Sequence, residues 1–325
     1  MSAGIVAVGS YVPERVLTNK DLEKMVDTTD EWIVSRTGIK ERRIASEDEV
    51  TSDLGACAAR NACKMGGIAL DDIDLILVST ITPDMGFPST ACFIQQKLGI
   101  KNIPCMDISA ACAGFVYSLD IAVKYVNSGD YKTVLVIGAE IISRITDWQD
   151  RNTCILFGDG AGAVLVRDVP DGRGVIKTVL GADGTYVEYL NMPGGGTRHP
   201  ASHRTVDERL HFLKMKGNDI FKLAVKSMVN ALTDVLEKAG VCPDDVDLFI
   251  PHQANRRIIT ALASRCKIPL DRVYMNLEMR GNISAASAIV ALDDAYKEGR
   301  IKEDMLIAFV AFGGGLTWGA SLVRW

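Results

Sequence analysis

Cys112 is the residue of this sequence best placed to act as a nucleophile. It lies in DISAACAGFVYSLDIAVKYV, where a predicted buried strand ends and a helix begins. The apolar residues of that helix are Phe115, Leu119, Val123 and Val126. Unpaired amides and the helix dipole favour a thiolate at such a position, and the small neighbours of Cys112 would admit a substrate. The alternative interpretation is a buried cysteine in a tight strand-to-helix turn.

Two further side chains could act together with this thiol. His252 follows the apolar run VDLFIP and so stands at the carboxyl end of a predicted strand, where open α/β folds place ligands. Asn282 lies in MRGNISAASAIVALDDA, just before a predicted helix, and an Asn there is often only an N-cap. The alternative interpretation of His252 is a histidine with a purely structural role.

Glycine-rich segments end both halves of the chain. FGGGLTWGASLVRW predicts a turn whose backbone amides face a ligand, because it is too rich in glycine for the interior of a strand pair. FGDGAG is weaker evidence, since glycine in a β-turn is usually only conformational.

An internal repeat indicates how these residues are positioned. LDDIDLILV at 70–78 recurs as PDDVDLFIP at 243–251, SAACA at 109–113 recurs as SAASA at 284–288, and FGDGAGAVLVR at 157–167 recurs as FGGGLTWGASLVR at 312–324. Three matches in one order predict a duplicated unit. In this alignment Ser287 is the counterpart of Cys112, so packing of the repeat does not demand the thiol. The symmetry should also bring Cys112, His252 and Asn282 together near the centre.

The alternation of short strands and helices predicts an α/β fold with largely parallel strands. Expected elements include strands near 4–8 and 75–79 and helices near 19–26 and 51–65. Two halves, 1–170 and 171–325, should pack their helices back to back between two sheets and so form five αβαβα layers. We interpret 185–212, which lacks periodicity, as a long surface excursion of the kind that is often functional.

Composition excludes several classes of protein. The 325 residues carry 36 Lys and Arg against 41 Asp and Glu, a net charge of −5, without the basic stripe expected of a nucleic-acid-binding protein. No apolar stretch approaches the ~18 residues that a membrane helix needs, and the N-terminus resembles a strand more than a secretory leader. None of the eight cysteines has Cys-x-x-Cys spacing. We therefore expect a cytoplasmic protein.

Taken together, these motifs resemble the β-ketoacyl-acyl carrier protein synthase III family of the thiolase superfamily. The resemblance runs from GIVAVGSYVPERVLTN and DEWIVSRTGIKERR through DISAACAGF, RNTCILFGDGAGA, MKGNDIF and PHQANRRII to RGNISAAS and FGGGLTWGASLVRW. It implies a thiolase-like fold and a Cys112, His252 and Asn282 active site. Cys112 would take an acyl group, most simply acetyl, from acyl-CoA. Malonyl-acyl carrier protein would then lose CO₂ and condense with that group, which initiates type II fatty acid synthesis.

The resemblance also implies the remaining binding residues. The backbone amides of Cys112 and Gly314 would form an oxyanion hole. The other implied sets are CoA binding by Thr28, Trp32, Arg36, Arg151 and Asn218; an acyl pocket of Phe87, Phe157, Leu190 and Leu213; and carrier-protein binding by Lys222, Arg257 and Arg265. Phe87 would reach across a homodimer. No metal and no cofactor besides the acyl-CoA substrate is implied, and neither nucleic acid nor membrane is a partner.

Two alternatives keep the same fold. One is a related thiolase-fold synthase that makes a polyketide or alkylquinolone starter. The other is a noncatalytic partner subunit of a ketosynthase pair, which Cys112 argues against. A biosynthetic thiolase would need a second cysteine in the C-terminal turn, where FGGG has none.

Overall fold

Two mixed β-sheets form the frame of the fold, as seen in a computed structural model that describes residues 2–325. The strands are β1 (Ser2–Tyr11), β2 (Val16–Thr18), β3 (Glu41–Arg43), β4 (Leu75–Ser79), β5 (Cys105–Ile108), β6 (Val134–Ile141), β7 (Asp159–Val169), β8 (Gly174–Ala182), β9 (Leu190–Asn191), β10 (Lys214–Met215), β11 (Leu248–Pro251), β12 (Leu306–Gly313) and β13 (Thr317–Arg324). The helices are α1 (Asn19–Leu22), α2 (Asp30–Thr37), α3 (Thr51–Gly66), α4 (Thr90–Leu98), α5 (Gly114–Ser128), α6 (His203–Asp207), α7 (Gly217–Ala239), α8 (Arg256–Arg265), α9 (Leu277–Arg280) and α10 (Ser287–Lys297).

The two large sheets repeat one topology. The first has the order β1-β7-β6-β4-β5 and the second the order β8-β13-β12-β11. In the first sheet β6, β4 and β5 are parallel and the pairs β6/β7 and β7/β1 are antiparallel. In the second sheet β12 and β11 are parallel and the pairs β12/β13 and β13/β8 are antiparallel. The fifth strand is reduced in the second sheet to an isolated parallel bridge between Phe249 and Val273. The predicted duplication within an α/β fold is confirmed.

The helices complete five layers. Helices α5 and α10 lie between the two sheets, α3 and α4 cover the outer face of the first sheet, and α7 and α8 cover that of the second. Phe115 of α5 packs edge to face on Phe309 of β12, with ring centroids 5.4 Å apart. Because α5 and α10 are covered on both sides, they carry apolar and small residues nearly all round. The five-layer prediction is also confirmed.

The structure corrects the register of the repeat. Short 3₁₀ turns at Ala111–Ala113 and Ser284–Ala286 lead directly into α5 and α10, 173 residues apart. The same separation relates the 3₁₀ turns Leu70–Asp72 and Pro243–Asp245. The counterpart of Cys112 is therefore Ala285, and the assignment to Ser287 was wrong. The similar strings SAACA and SAASA align two positions out of register, whereas the beginnings of the helices fix the alignment.

The glycines of FGDGAG also have a different role from the one expected. Gly160 and Gly162 lie inside β7 and not in a β-turn. A Cβ on Gly162 would lie 2.5 Å from the Cβ of Ile289, so glycine is needed there because α10 packs directly on the strand. In FGGG, by contrast, Gly313 ends β12 and a turn follows, as predicted.

Smaller differences concern the ends of elements. Strand β1 is longer than 4–8, and the helix expected near 19–26 ends at Leu22. Within 185–212 lie β9 and α6, and β9 pairs with β10. The division into halves at residue 170 and the surface role of 185–212 stay predictions. Among residues 2–325, no helix is long and apolar enough to cross a membrane.

Candidate active site

One cavity of about 1060 Å³ brings the predicted catalytic residues together. Cys112, His252, Asn282 and Gly314 all line it, although they come from four separate segments of the chain. Large ligand sites in proteins are concave and mostly apolar, with a few convergent polar groups, and this cavity has that character. The convergence expected from the repeat is therefore present in the structure.

Cys112 lies in the 3₁₀ turn that precedes α5. The pKa of its thiol is raised to about 12, mainly by burial, while the Ser284 hydroxyl opposes the shift and the charge of Glu140 adds to it. A helix terminus stabilises a nearby charge by about 0.3–1 kcal/mol, up to about 2 kcal/mol, which corresponds to roughly one pKa unit. Burial thus outweighs the helix, and the helix N-terminus alone does not produce a thiolate on Cys112.

His252 directly follows β11, and its backbone N–H donates to the carbonyl of Val310 on β12 at 2.8 Å. The side chain is only 3% exposed, and its buried Nδ1 has no partner among the described residues. Burial lowers the pKa of this imidazole to about 3. His252 is therefore neutral at physiological pH, with one nitrogen able to donate and one able to accept a hydrogen bond.

Asn282 is held by backbone and side-chain hydrogen bonds. Its N–H donates to the carbonyl of Leu156 at 2.9 Å, and its own carbonyl accepts the N–H of Gly158 at 3.0 Å. The side-chain Oδ1 accepts the N–H of Ser284 at 2.8 Å. The expected capping role is thus partly present, although the residues that cap the following turn and helix are Ile283 and Ala286. Since Oδ1 is used, the group that Asn282 can offer to the cavity is the Nδ2 donor.

The apolar part of the cavity contains three of the four predicted acyl-pocket residues. Phe157, Leu190 and Leu213 line it, and Ile142 packs with Phe157 and Leu213. Leu190 belongs to the 185–212 segment, which therefore contributes directly to the cavity. Phe87 does not line the cavity of its own chain, and its side chain is 85% exposed.

Trp32 lines the cavity, and two arginines lie close to its ring. The guanidinium carbons of Arg36 and Arg151 lie 5.5 and 5.0 Å from the centroid of the Trp32 ring. Arg151 also donates to the carbonyl of Asp27 at 2.9 Å. Trp32, Arg36 and Asn218 line the cavity, whereas Thr28 and Arg151 do not.

The predicted basic patch is divided between the cavity and the outer surface. Lys222 and Arg257 are exposed and line the cavity, and Arg257 lies 5.8 Å from the centroid of the Phe221 ring. Arg265 is exposed but lies outside the cavity, at the end of α8.

Sequence reasoning missed Glu140 and Ser284, which affect the ionisation of Cys112. A lone carboxylate in the buried run VLVIGAEI was an available signal for Glu140, because buried charges without a clear partner are uncommon. Ser284 offered no signal, since serine in a turn before a helix is common. Within residues 2–325, no group of three or more His, Cys, Asp or Glu side chains could hold a metal ion.

Comparisons with known proteins find relatives that match the whole chain. Residues 106–184 match the family model described as 3-oxoacyl-[acyl-carrier-protein (ACP)] synthase III, and residues 236–325 match the model of its C-terminal part. A β-ketoacyl-[acyl-carrier-protein] synthase III of Caldanaerobacter subterraneus subsp. tengcongensis is 54% identical over 325 residues, which cover 100% of this chain and 98% of that protein.

Solved structures are similar as well. The crystal structure of 3-oxoacyl-[acyl-carrier-protein] synthase III from Aquifex aeolicus VF5 has a TM-score of 0.92 at 49% identity and covers 99% of this chain and 100% of that one. The priming β-ketosynthase from the R1128 polyketide biosynthetic pathway has a TM-score of 0.92 at 36% identity, covering 99% and 96%.

Proposed function

Because this chain belongs to the β-ketoacyl-[acyl-carrier-protein] synthase III family, a family of condensing acyltransferases, we propose that Cys112, His252 and Asn282 carry out the priming condensation of fatty acid synthesis. The observation that carries this proposal is the convergence of these three side chains in one cavity. An acyl-CoA and malonyl-acyl carrier protein are the proposed substrates, and 3-oxoacyl-acyl carrier protein, CoA and CO₂ are the products.

The first half reaction loads the acyl group onto Cys112. The sulfur attacks the thioester carbonyl, a bond from that carbon to Sγ forms, and the bond to the CoA sulfur breaks. The proton of the Cys112 thiol ends on the departing CoA. We assign stabilisation of the oxyanion to the backbone N–H groups of Cys112 and Gly314.

The second half reaction forms the new carbon–carbon bond. Loss of CO₂ from the malonyl thioester leaves an enolate, whose oxygen needs hydrogen-bond donors. Neutral His252 and the Nδ2 group of Asn282 supply two such donors without a compensating charge. The enolate carbon then attacks the acyl carbonyl on Cys112, and the thiolate leaves. None of these steps uses a metal or an additional cofactor.

Substrate recognition is assigned to the residues around the cavity. Trp32, with Arg36 and Arg151 close to its ring, supports stacking on the adenine of CoA, and Thr28 and Asn218 complete that proposed site. Exposed Lys222, Arg257 and Arg265 would attract the acidic carrier protein, even though the whole chain has a charge of −5.

We also propose a cytoplasmic homodimer. Exposure of Phe87 supports a second copy of the chain that covers its ring and completes the acyl pocket. The proposed primer is acetyl-CoA. The two halves, 1–170 and 171–325, would then contribute the nucleophile and the two enolate donors respectively. Segment 185–212 is proposed to shape the pocket from the surface, through Leu190.

Loading of Cys112 by a panel of acyl-CoA substrates tests the function. The protein is incubated with acetyl-, isobutyryl- or octanoyl-CoA, digested, and the peptide that contains Cys112 is weighed. We expect an acyl adduct that malonyl-acyl carrier protein discharges with release of 3-oxoacyl-acyl carrier protein. Cys112→Ser is the matched control. A chain that forms no adduct with any primer would be a noncatalytic subunit, and an adduct discharged only by other acceptors would indicate a starter synthase.

A further inference from the structure

Glu140 is a buried carboxyl that the proposed reaction leaves unused. It lies near the end of β6, is 0% exposed, and forms no salt bridge within residues 2–325. Burying a charge without a counter-ion is costly, so its presence beside the active site requires a physical reason.

The hydrogen bonds of Glu140 satisfy one of its oxygens far better than the other. The Thr82 hydroxyl accepts the Ile141 N–H at 2.9 Å, so its own hydrogen is donated to Oε2 of Glu140, at 2.6 Å. Oε2 also accepts the Ile81 N–H at 3.1 Å and the Thr80 hydroxyl at 3.2 Å. Oε1 is reached only by the same Ile81 N–H, at 3.3 Å. Oε1 can therefore carry a proton or accept a further hydrogen bond.

Ser284 has a hydroxyl that its backbone does not need. The residue is 1% exposed, its buried Oγ has no hydrogen-bond partner among the described residues, and it lines the cavity together with Cys112. Its φ of 45° matches the φ of 46° of Ala111, the equivalent residue of the first half. Since alanine adopts this conformation at Ala111, the turn at Ser284 does not require a hydroxyl.

The repeat places Glu140 against Ser284. With a separation of 173 residues, Gly313 is the counterpart of Glu140, and a Cβ on Gly313 would lie 3.0 Å from the Cβ of Ala111. Strand β6 approaches the second turn just as closely, because a Cβ on Gly138 would lie 2.7 Å from the carbonyl oxygen of Ala285. The Ser284 hydroxyl can donate its single hydrogen to the Glu140 carboxyl or to the Cys112 thiolate, and it lowers the pKa of the group that accepts it.

We propose that Glu140 and Ser284 are positioning residues that control the ionisation of Cys112, with the Ser284 hydroxyl between the carboxyl and the thiol. The inference rests on the proposed function only in taking Cys112 as the nucleophile.

The direction of the effect follows from the charges. Burial raises the pKa of Glu140 to about 7, so the carboxyl is largely neutral at pH 6 and charged at pH 8.5. The charged form opposes a thiolate on Cys112, whereas the neutral form does not. The groups that face the carboxyl are the hydroxyls of Thr80, Thr82 and Ser284 and the Ile81 amide, and Cys112 is the titratable group to which the carboxyl is linked electrostatically.

Alkylation of Cys112 by iodoacetamide tests this control, because only the thiolate reacts. The rate is followed by mass spectrometry of the Cys112 peptide between pH 6 and 8.5. For Glu140→Gln we expect a rate close to that of the unsubstituted protein at pH 6 and on the order of tenfold higher at pH 8.5. Ser284→Ala should instead react several-fold more slowly, since it removes the hydroxyl that can donate to the thiolate.

Two matched variants serve as controls. Asp159→Asn neutralises a carboxyl that is equally buried but binds Ser143 and the Ala45 N–H. Ser287→Ala removes a hydroxyl of the same region that accepts the Ile283 N–H. Neither should change the pH dependence of Cys112 alkylation. Circular dichroism of each variant reports whether it is folded.

The alkylation rate of Glu140→Gln can be divided by that of the unsubstituted protein at each pH. If this ratio stays constant from pH 6 to 8.5, the proposal is overturned, and Glu140 serves only to anchor residues 80–82. If Glu140→Gln does not fold, an unchanged rate for Ser284→Ala would overturn it by itself. Failure of acyl-CoA to load Cys112 would contradict the proposed function instead, because alkylation needs no acyl substrate.

Discussion

The side-chain oxygen of Asn282 accepts the backbone N–H of Ser284 at 2.8 Å, which fixes the orientation of the amide. Only the Nδ2 group remains to be offered to a substrate. Asn282 can therefore have two roles at once, because Oδ1 binds the turn before α10 and Nδ2 is left for the active site.

Asn282→Asp should separate these two roles. The aspartate keeps an oxygen for Ser284 but has no donor for the enolate, so decarboxylation of malonyl-acyl carrier protein should fall by roughly 10²–10³. Loading of Cys112 from acyl-CoA should persist and serves as the internal control. Equal loss of both half reactions would show that Asn282 maintains the shape of the site and does not donate to the enolate.

Arg257→Glu should weaken the use of malonyl-acyl carrier protein and leave loading from acyl-CoA unchanged. Exposed charges at the edge of a site act mainly on the encounter with a charged partner. Lys238→Glu, a charge reversal at the distant end of α7, is the matched control. Because Arg257 also lines the cavity, a comparable loss in both half reactions would place it on the CoA side instead.

Phe87 should be covered by a second copy of the chain. We expect sedimentation at micromolar concentration to give a dimer, because an aromatic ring 85% exposed in one chain is otherwise unfavourable in water. A fully active monomer would contradict both the dimer and the proposed place of Phe87 in the acyl pocket.

Buried His252 should make the protein sensitive to acid. Its pKa is lowered from 6.5 to about 3, so below pH 6.5 the unfolded chain binds a proton that the folded chain excludes. Stability from this group is therefore present above pH 6.5 and is lost as the pH falls, by about 2–3 kcal/mol at pH 4.5. Urea unfolding at pH 7 and 4.5 should show a smaller difference for His252→Asn than for the unsubstituted protein. An identical difference would mean that His252 is protonated in the folded state.

Sequence patterns predicted the duplicated α/β fold and the convergence of Cys112, His252 and Asn282, because the alternation of strands and helices and the internal repeat are both visible in the sequence. The counterpart of Cys112 was misassigned, since strings of small residues align equally well in several registers and only the helix beginnings select one. The contacts of Glu140 and Ser284 arise where the two halves meet. The sequence around each of these two residues does not show how the halves pack together, so the sequence alone did not indicate their contacts.

The most direct test of the account measures both half reactions for two variants. Mass spectrometry detects the acyl adduct on Cys112, and labelled CO₂ reports decarboxylation. Cys112→Ala should form no adduct yet retain some decarboxylation, because His252 and Asn282 still present two donors. His252→Ala should still form the adduct and lose roughly 10²–10³ in decarboxylation, about 3–4 kcal/mol. If His252→Ala abolished acylation as completely as Cys112→Ala, His252 would be the base that generates the thiolate, which would contradict the separation of roles proposed for the three residues.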